Sequence, residues 1–196
     1  MNQKQRIREY FEREGTPMKI LVSACLLGEN CKYNGGNNRN PELLRLLSGH
    51  TVIPVCPEVL GGLPVPRVPA EIVNGTVMNR EGLSVDAAFR HGAEKALEIA
   101  EQEQPDWIIL QSRSPSCGVK EIYDGSFSGR RIPGHGVFAG LALKAGFRVT
   151  DAEDFCSDSS LSVAVPFPDS ETGAGVPAPE EEQACPREAE KNSRRA

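Results

Sequence analysis

The chain changes hydrophobic rhythm several times between residues 17 and 156. Lys19-Ile-Leu-Val-Ser-Ala-Cys25 is a short, nearly continuous apolar run, the pattern of a strand buried on both faces. Asn40 then Pro41 is an N-cap ahead of a first-turn proline; Leu43, Leu44, Leu46 and Leu47 make the helix face and Gly49 ends it. Thr51-Val-Ile-Pro-Val-Cys56 predicts a second strand, weakened by Pro54, which cannot donate to a ladder. Ser84 is placed to cap a helix in which Val85, Ala88, Phe89, Ala93, Ala96, Leu97 and Ala100 share one face. Asp106-Trp-Ile-Ile-Leu110 predicts a third strand. Val137 to Ala145 predicts an apolar helix closed by Gly146, and Phe147-Arg-Val-Thr150 a fourth strand. Between these, Pro57 to Gly75 holds four prolines and three glycines and reads as a long ordered loop. Tyr123 to Pro133 reads as a second loop.

Apolar strands alternating with helices predict an α/β domain: a mainly parallel sheet flanked by helices, Rossmann-like in layout. Residues 1–16 predict a charged N-terminal helix with Ile7, Tyr10 and Phe11 on one stripe. The α/β domain spans 17–156, and 157–196, dominated by serine, proline, glycine and glutamate, reads as a flexible, disordered acidic tail.

Charge refines this picture. The 196 residues carry 22 basic and 27 acidic side chains, a net of −5, which argues against a broad nucleic-acid-binding face. Residues 151–196 hold 11 acidic and 4 basic groups, so residues 1–150 carry about +2 and a local basic pocket is allowed. No run approaches the roughly 18 apolar residues of a membrane span, and the polar N-terminus has no apolar signal segment, so a cytoplasmic protein is expected. In a reducing compartment six cysteines read as ligands, reactive thiols or small buried hydrophobes rather than disulfides.

Three of the six share a position. Cys25 ends the first strand, Cys56 the second, and Cys117 follows the third in Ser114-Pro-Ser-Cys-Gly118. In a parallel sheet the carboxyl ends of strands lie on one edge, where ligands bind. Three thiols there could share a soft metal centre, zinc or an iron–sulfur cluster, with one coordination position left open. Cys31 is near enough in sequence to reach the same place, whereas Cys156 and Cys185 lie at or beyond the tail boundary. Arg67 and Glu71 are expected to pair and fix the proline-rich loop. Arg130 and Arg131 beside Gly134-His-Gly136 could offer phosphate a basic site at a helix start, but a solvated basic turn is the favoured reading. Gly134-His-Gly-Val-Phe-Ala139 also matches a dinucleotide fingerprint, but no strand is expected before it.

Six blocks in order resemble the domain-of-unknown-function 523 family, which includes thiouracil desulfidases. They are Ser-Ala-Cys-Leu-Leu-Gly (23–28), Lys-Tyr-Asn-Gly (32–35), Cys-Pro-Glu-Val-Leu-Gly-Gly-Leu-Pro (56–64), Pro-Arg-Val-Pro-Ala-Glu-Ile (66–72), Ser-Pro-Ser-Cys-Gly (114–118) and Tyr-Asp-Gly-Ser-Phe (123–127). The resemblance implies a [4Fe-4S] cluster on Cys25, Cys56 and Cys117, with the fourth iron open to substrate sulfur and Glu58 and Ser114 catalytic. Glu58, expected beside an apolar cleft that raises its pKa, would activate water. Tyr33, Asn34 and Arg67 are candidate substrate contacts. The implied substrate is a small thiolated pyrimidine, thiouracil converted to uracil plus sulfide; thiouridine in nucleosides or transfer RNA is the alternative. A different class, a non-catalytic zinc or iron–sulfur module, would need a fourth protein ligand from Cys31 or a histidine.

Overall fold

The structure, a computed structural model, describes residues 17–154. The expected N-terminal helix and acidic tail, with Cys156 and Cys185, lie outside the described residues. Chain order is β1 (Lys19–Ser23), α1 (Ala24–Leu27), α2 (Pro41–Leu46), β2 (Thr51–Val55), α3 (Pro57–Leu60), β3 (Ala70–Val73), β4 (Thr76–Asn79), α4 (Asp86–Glu103), β5 (Trp107–Leu110), β6 (Glu121–Tyr123), β7 (Arg131–Pro133), α5 (Val137–Lys144) and β8 (Val149–Asp151), then a 3-10 turn at Ala152–Asp154.

Four strands form a fully parallel sheet in the order β2-β1-β5-β8, so the α/β reading holds. Side chains alternate across it. Ile20 and Val22 of β1 join Trp107, Ile109, Leu43 of α2 and Leu47 just past its end on one face. Leu21 joins Ile108, Leu110, the alanines 93, 96 and 100 of α4 and Phe138 of α5 on the other. Each fully buried branched or aromatic side chain here contributes about 1.5–3 kcal/mol. Pro54 is tolerated because β2 is an edge strand, paired only with β1, and Pro54 is exposed. No described helix is long and apolar enough to cross a membrane.

Several local expectations change. The stretch from Pro57 to Gly75 is not all loop. It contains α3, with Cys56 at the N-cap position making no side-chain bond and Pro57 in the first turn, and the strand β3. Strands β3 and β4 pair as an antiparallel hairpin around Asn74 (φ 48°) and Gly75 (φ 81°), both left-handed. The second loop contains the β6–β7 ribbon. Strand β7 does precede Gly134, but it is exposed throughout and antiparallel, unlike the buried parallel strand of a dinucleotide site. Ser84 does not cap α4. Val85 holds that position without a side-chain bond, and Asp86 instead accepts the Val77 N–H at 3.0 Å, tying the helix start to β4. Helix α3 crosses α4 at backbone contact: a Cβ at Gly92 would run into the Pro57 carbonyl.

Candidate functional site

The carboxyl ends of β1, β2 and β5 open onto one cavity of about 530 Å³. At that edge β1 runs directly into α1 and β2, through Cys56, into α3, while β5 ends at Leu110 and continues as irregular chain. Cys25, Cys31, Cys56 and Cys117 all line the cavity, on four separate segments, and all four are free thiols. Cys25, Cys31 and Cys117 are buried; Cys56 is half-buried. The Cys31 thiol touches those of Cys25 and Cys56. It is pushed up to about 11, first by its bond to Cys25, against a lowering contact with Cys56, and then by burial. Cys56 is raised by its bond to Cys31 and by burial, and Cys117 by burial above all. Among the described residues no three His, Cys, Asp or Glu side chains stand posed around a single ion.

Glu58, in the first turn of α3, carries the charge of the site. Its Oε2 receives Arg67 Nε at 2.8 Å and Nη2 at 2.7 Å, a forked ion pair with side-chain exposures of 15% and 7%. Its Oε1 receives the hydroxyls of Ser116 at 3.1 Å and Ser114 at 3.4 Å. The surroundings are therefore a polar cage, not the apolar cleft expected. Arg67 also corrects a pairing: it binds Glu58 and not Glu71. The guanidinium further donates to the carbonyls of Pro64 and Cys31, at 3.1 and 3.0 Å, and the Arg67 N–H to that of Tyr33 at 2.7 Å. One buried side chain thus ties α3, the proline-rich loop and the Cys31 loop together.

Ser114 organises the Cys117 loop. Its Oγ accepts the N–H groups of Ser116 and Cys117 at 3.1 and 3.2 Å, which leaves its own proton for Glu58. The same loop is clamped from outside by the start of α5. The N–H groups of Gly136, Val137 and Phe138 donate to the carbonyls of Gly118, Pro115 and Ser116. A Cβ at Gly136 would stand 2.6 Å from the Ser116 carbonyl oxygen, so only glycine permits this approach. These donors are consumed by the protein, and Arg130 and Arg131 pair with Asp124 and Glu121. No free phosphate site is left at this turn, which serves as a clamp on the loop.

Tyr33 lines the cavity and is 46% exposed. Asn34 does not line it; its Oδ1 accepts the Gly36 N–H at 3.1 Å and shapes a turn. Ser116 is the site residue the sequence reading missed, although it repeats the serine pattern of its own block and is 1% exposed. Glu71 also lines the cavity, but as an acceptor: its Oε2 takes the N–H groups of Gly125 and Phe127, each at 3.0 Å.

The sequence and the fold are similar to those of known proteins. The 2-thiouracil desulfurase family matches residues 20–154. An uncharacterized protein of Bacillus subtilis (strain 168), YbbK, is 40% identical over 140 residues, 66% of this chain and 93% of its own length. The solved structure of the [4Fe-4S]-dependent thiouracil desulfidase TudS is similar with a TM-score of 0.66 and 38% identity, covering 69% of this chain and 91% of that one.

Proposed function

The chain belongs to the 2-thiouracil desulfurase family, and on that premise we propose that it is a [4Fe-4S]-dependent desulfidase that hydrolyses a small thiolated pyrimidine to the pyrimidinone and sulfide. The observation that carries this reading is the Glu58 carboxylate, caged by Arg67, Ser114 and Ser116 on the wall of a thiol-lined cavity.

The donor set fits the cofactor. Four soft thiols on separate segments of one cavity wall are the donor type that an iron–sulfur cluster takes. Cys25, Cys56 and Cys117 would hold the cluster, which would supply a Lewis-acidic iron with affinity for sulfur. The protein supplies the rest. Glu58 takes a proton from the attacking water. Its four acceptor sites already meet four donors in this structure, so one donor must yield. The Ser114 bond, at 3.4 Å, is the longest and is the one that water replaces. Arg67 stays on Oε2 and fixes the carboxylate plane, and Ser116 holds Oε1. Ser114 then orients the water or passes a proton to the ring nitrogen. Cavity walls from the Cys31, Cys117 and proline-rich loops exclude bulk solvent from the thiocarbonyl.

The test is Glu58→Gln, which keeps the size of the side chain and removes its basicity. Iron and sulfide content should match the parent, while sulfide release from 2-thiouracil falls by at least about 100-fold. Full activity in the variant would remove Glu58 from the chemistry. A second reading, a closed and non-catalytic metal module, is favoured by one observation: Cys31 touches two of the three proposed ligands. Cys31→Ala decides between the two, because an open site keeps its cluster in that variant and a closed one loses it.

A further inference from the structure

Phe127 combines features that core packing does not explain. It belongs to neither core cluster, yet it lines the cavity with the four thiols and Glu58. Its backbone is left-handed, φ 56°, a conformation that bulky residues avoid and that costs about 1–2 kcal/mol. Two anchors hold it there. The 8%-exposed Glu71 accepts the N–H groups of both Phe127 and Gly125 on one carboxylate oxygen. Gly125, also left-handed, lies so close to β3 that a Cβ would stand 2.7 Å from the Ile72 carbonyl oxygen. The β3–β4 hairpin thus places the ring rigidly at the cavity wall. Arg80, another cavity residue, lies over it with its guanidinium carbon 5.8 Å from the ring centroid.

Strain held by charge-assisted bonds at a cavity calls for a use. A flat, polarisable heterocycle needs a π-surface to set its plane before water can approach its thiocarbonyl carbon along one direction. We propose that the Phe127 ring, polarised by Arg80, is the stacking platform for the substrate pyrimidine and the main determinant of its binding. This assignment rests on the desulfidase reading above and extends it to the recognition of the ring. Tyr33 offers a weaker platform, since it is 46% exposed.

The test compares the cluster-loaded wild type with Phe127→Tyr, Phe127→Leu and Glu71→Gln, all checked for equal iron content and circular dichroism. Phe127→Leu should raise the KM for 2-thiouracil about tenfold or more, the scale of a lost base–aromatic stack, with kcat nearly unchanged. Anaerobic calorimetry should show the affinity for uracil falling by the same factor. Phe127→Tyr should stay within about threefold of the wild type. Glu71→Gln, which loosens the turn without touching the ring, should move KM and uracil affinity in the Leu direction. If Phe127→Leu fails to load its cluster, Phe127→Met replaces it as a side chain of similar volume without a π-face. Unchanged KM and uracil affinity in the Leu or Met variant would overturn the platform. A wild type that binds uracil in a Phe127-dependent way but releases no sulfide would keep the platform and sink the desulfidase reading instead.

Discussion

Replacing Arg67 by methionine tests the hub of the site. The methionine keeps much of the apolar stem and removes the guanidinium. At 2.7 Å and an effective dielectric constant near 20, the pair with Glu58 has a gross attraction of about 6 kcal/mol. Desolvation offsets a large part of that, but breaking a buried pair by deleting one partner still costs about 3–5 kcal/mol, since the other charge is left stranded. Glu58 keeps two serine hydroxyls, so the lower figure applies: about 3 kcal/mol, or a fall in Tm of roughly 10 °C for a domain of this size. Urea unfolding of the anaerobic, cluster-loaded protein reads the free energy. The double variant Arg67→Met/Glu58→Gln should lose clearly less than the sum of the two single variants, because the stranded charge is gone. A loss below about 1 kcal/mol in Arg67→Met, or strict additivity in the cycle, would refute the view that this pair holds α3 to the proline-rich and Cys31 loops.

Gly136→Ala should push the Ser116 segment away from α5, at a cost of about 1–3 kcal/mol, and lower iron content by displacing Cys117; denaturation and iron analysis read both. Asp124 is held near a pKa of about 2, first by the Ser126 hydroxyl and backbone N–H and then by Arg130. Its folded value lies below the unfolded one, so its contribution is present above about pH 4 and is lost as pH falls through about 2. Asp124→Asn should therefore be the less stable protein at pH 6, and its urea midpoint should fall less than the parent's between pH 4 and pH 2; parallel curves would contradict the assignment. Changing Cys25, Cys56 or Cys117 to alanine should each abolish iron binding, which colour and metal analysis report directly.

What could be read from the sequence follows the range of the interactions involved. The strands leading to Cys25, Cys56 and Cys117 were legible because a buried strand is a run of neighbouring residues, and the parallel sheet placed their ends on one edge. The β3–β4 hairpin left a clear signal in Asn74-Gly75 between two β-prone runs, but the four prolines nearby masked it. The first turn of α3 was hidden in the same way, although Pro57 at the first helical position marked it. Arg67 has two carboxylates in sequence reach, Glu58 nine residues before and Glu71 four after, and separation alone favours the nearer. The fold decides otherwise, because Glu71 turns to the Gly125–Phe127 backbone and the Cys31 and Pro64 carbonyls aim the guanidinium at α3. Ser116 and Phe127 carry no local mark of their roles. Those roles arise from contacts across 58 and 56 residues, which only the closed fold brings together.

The most direct test is to purify the protein without oxygen, measure iron and acid-labile sulfide, and add 2-thiouracil while following the spectrum, sulfide and uracil. A brown protein with about four irons per chain, whose spectrum shifts as sulfide and uracil appear in equal amounts, is the predicted result. A colourless protein with one zinc, or a cluster that leaves 2-thiouracil and other thiolated pyrimidines intact, would contradict the account.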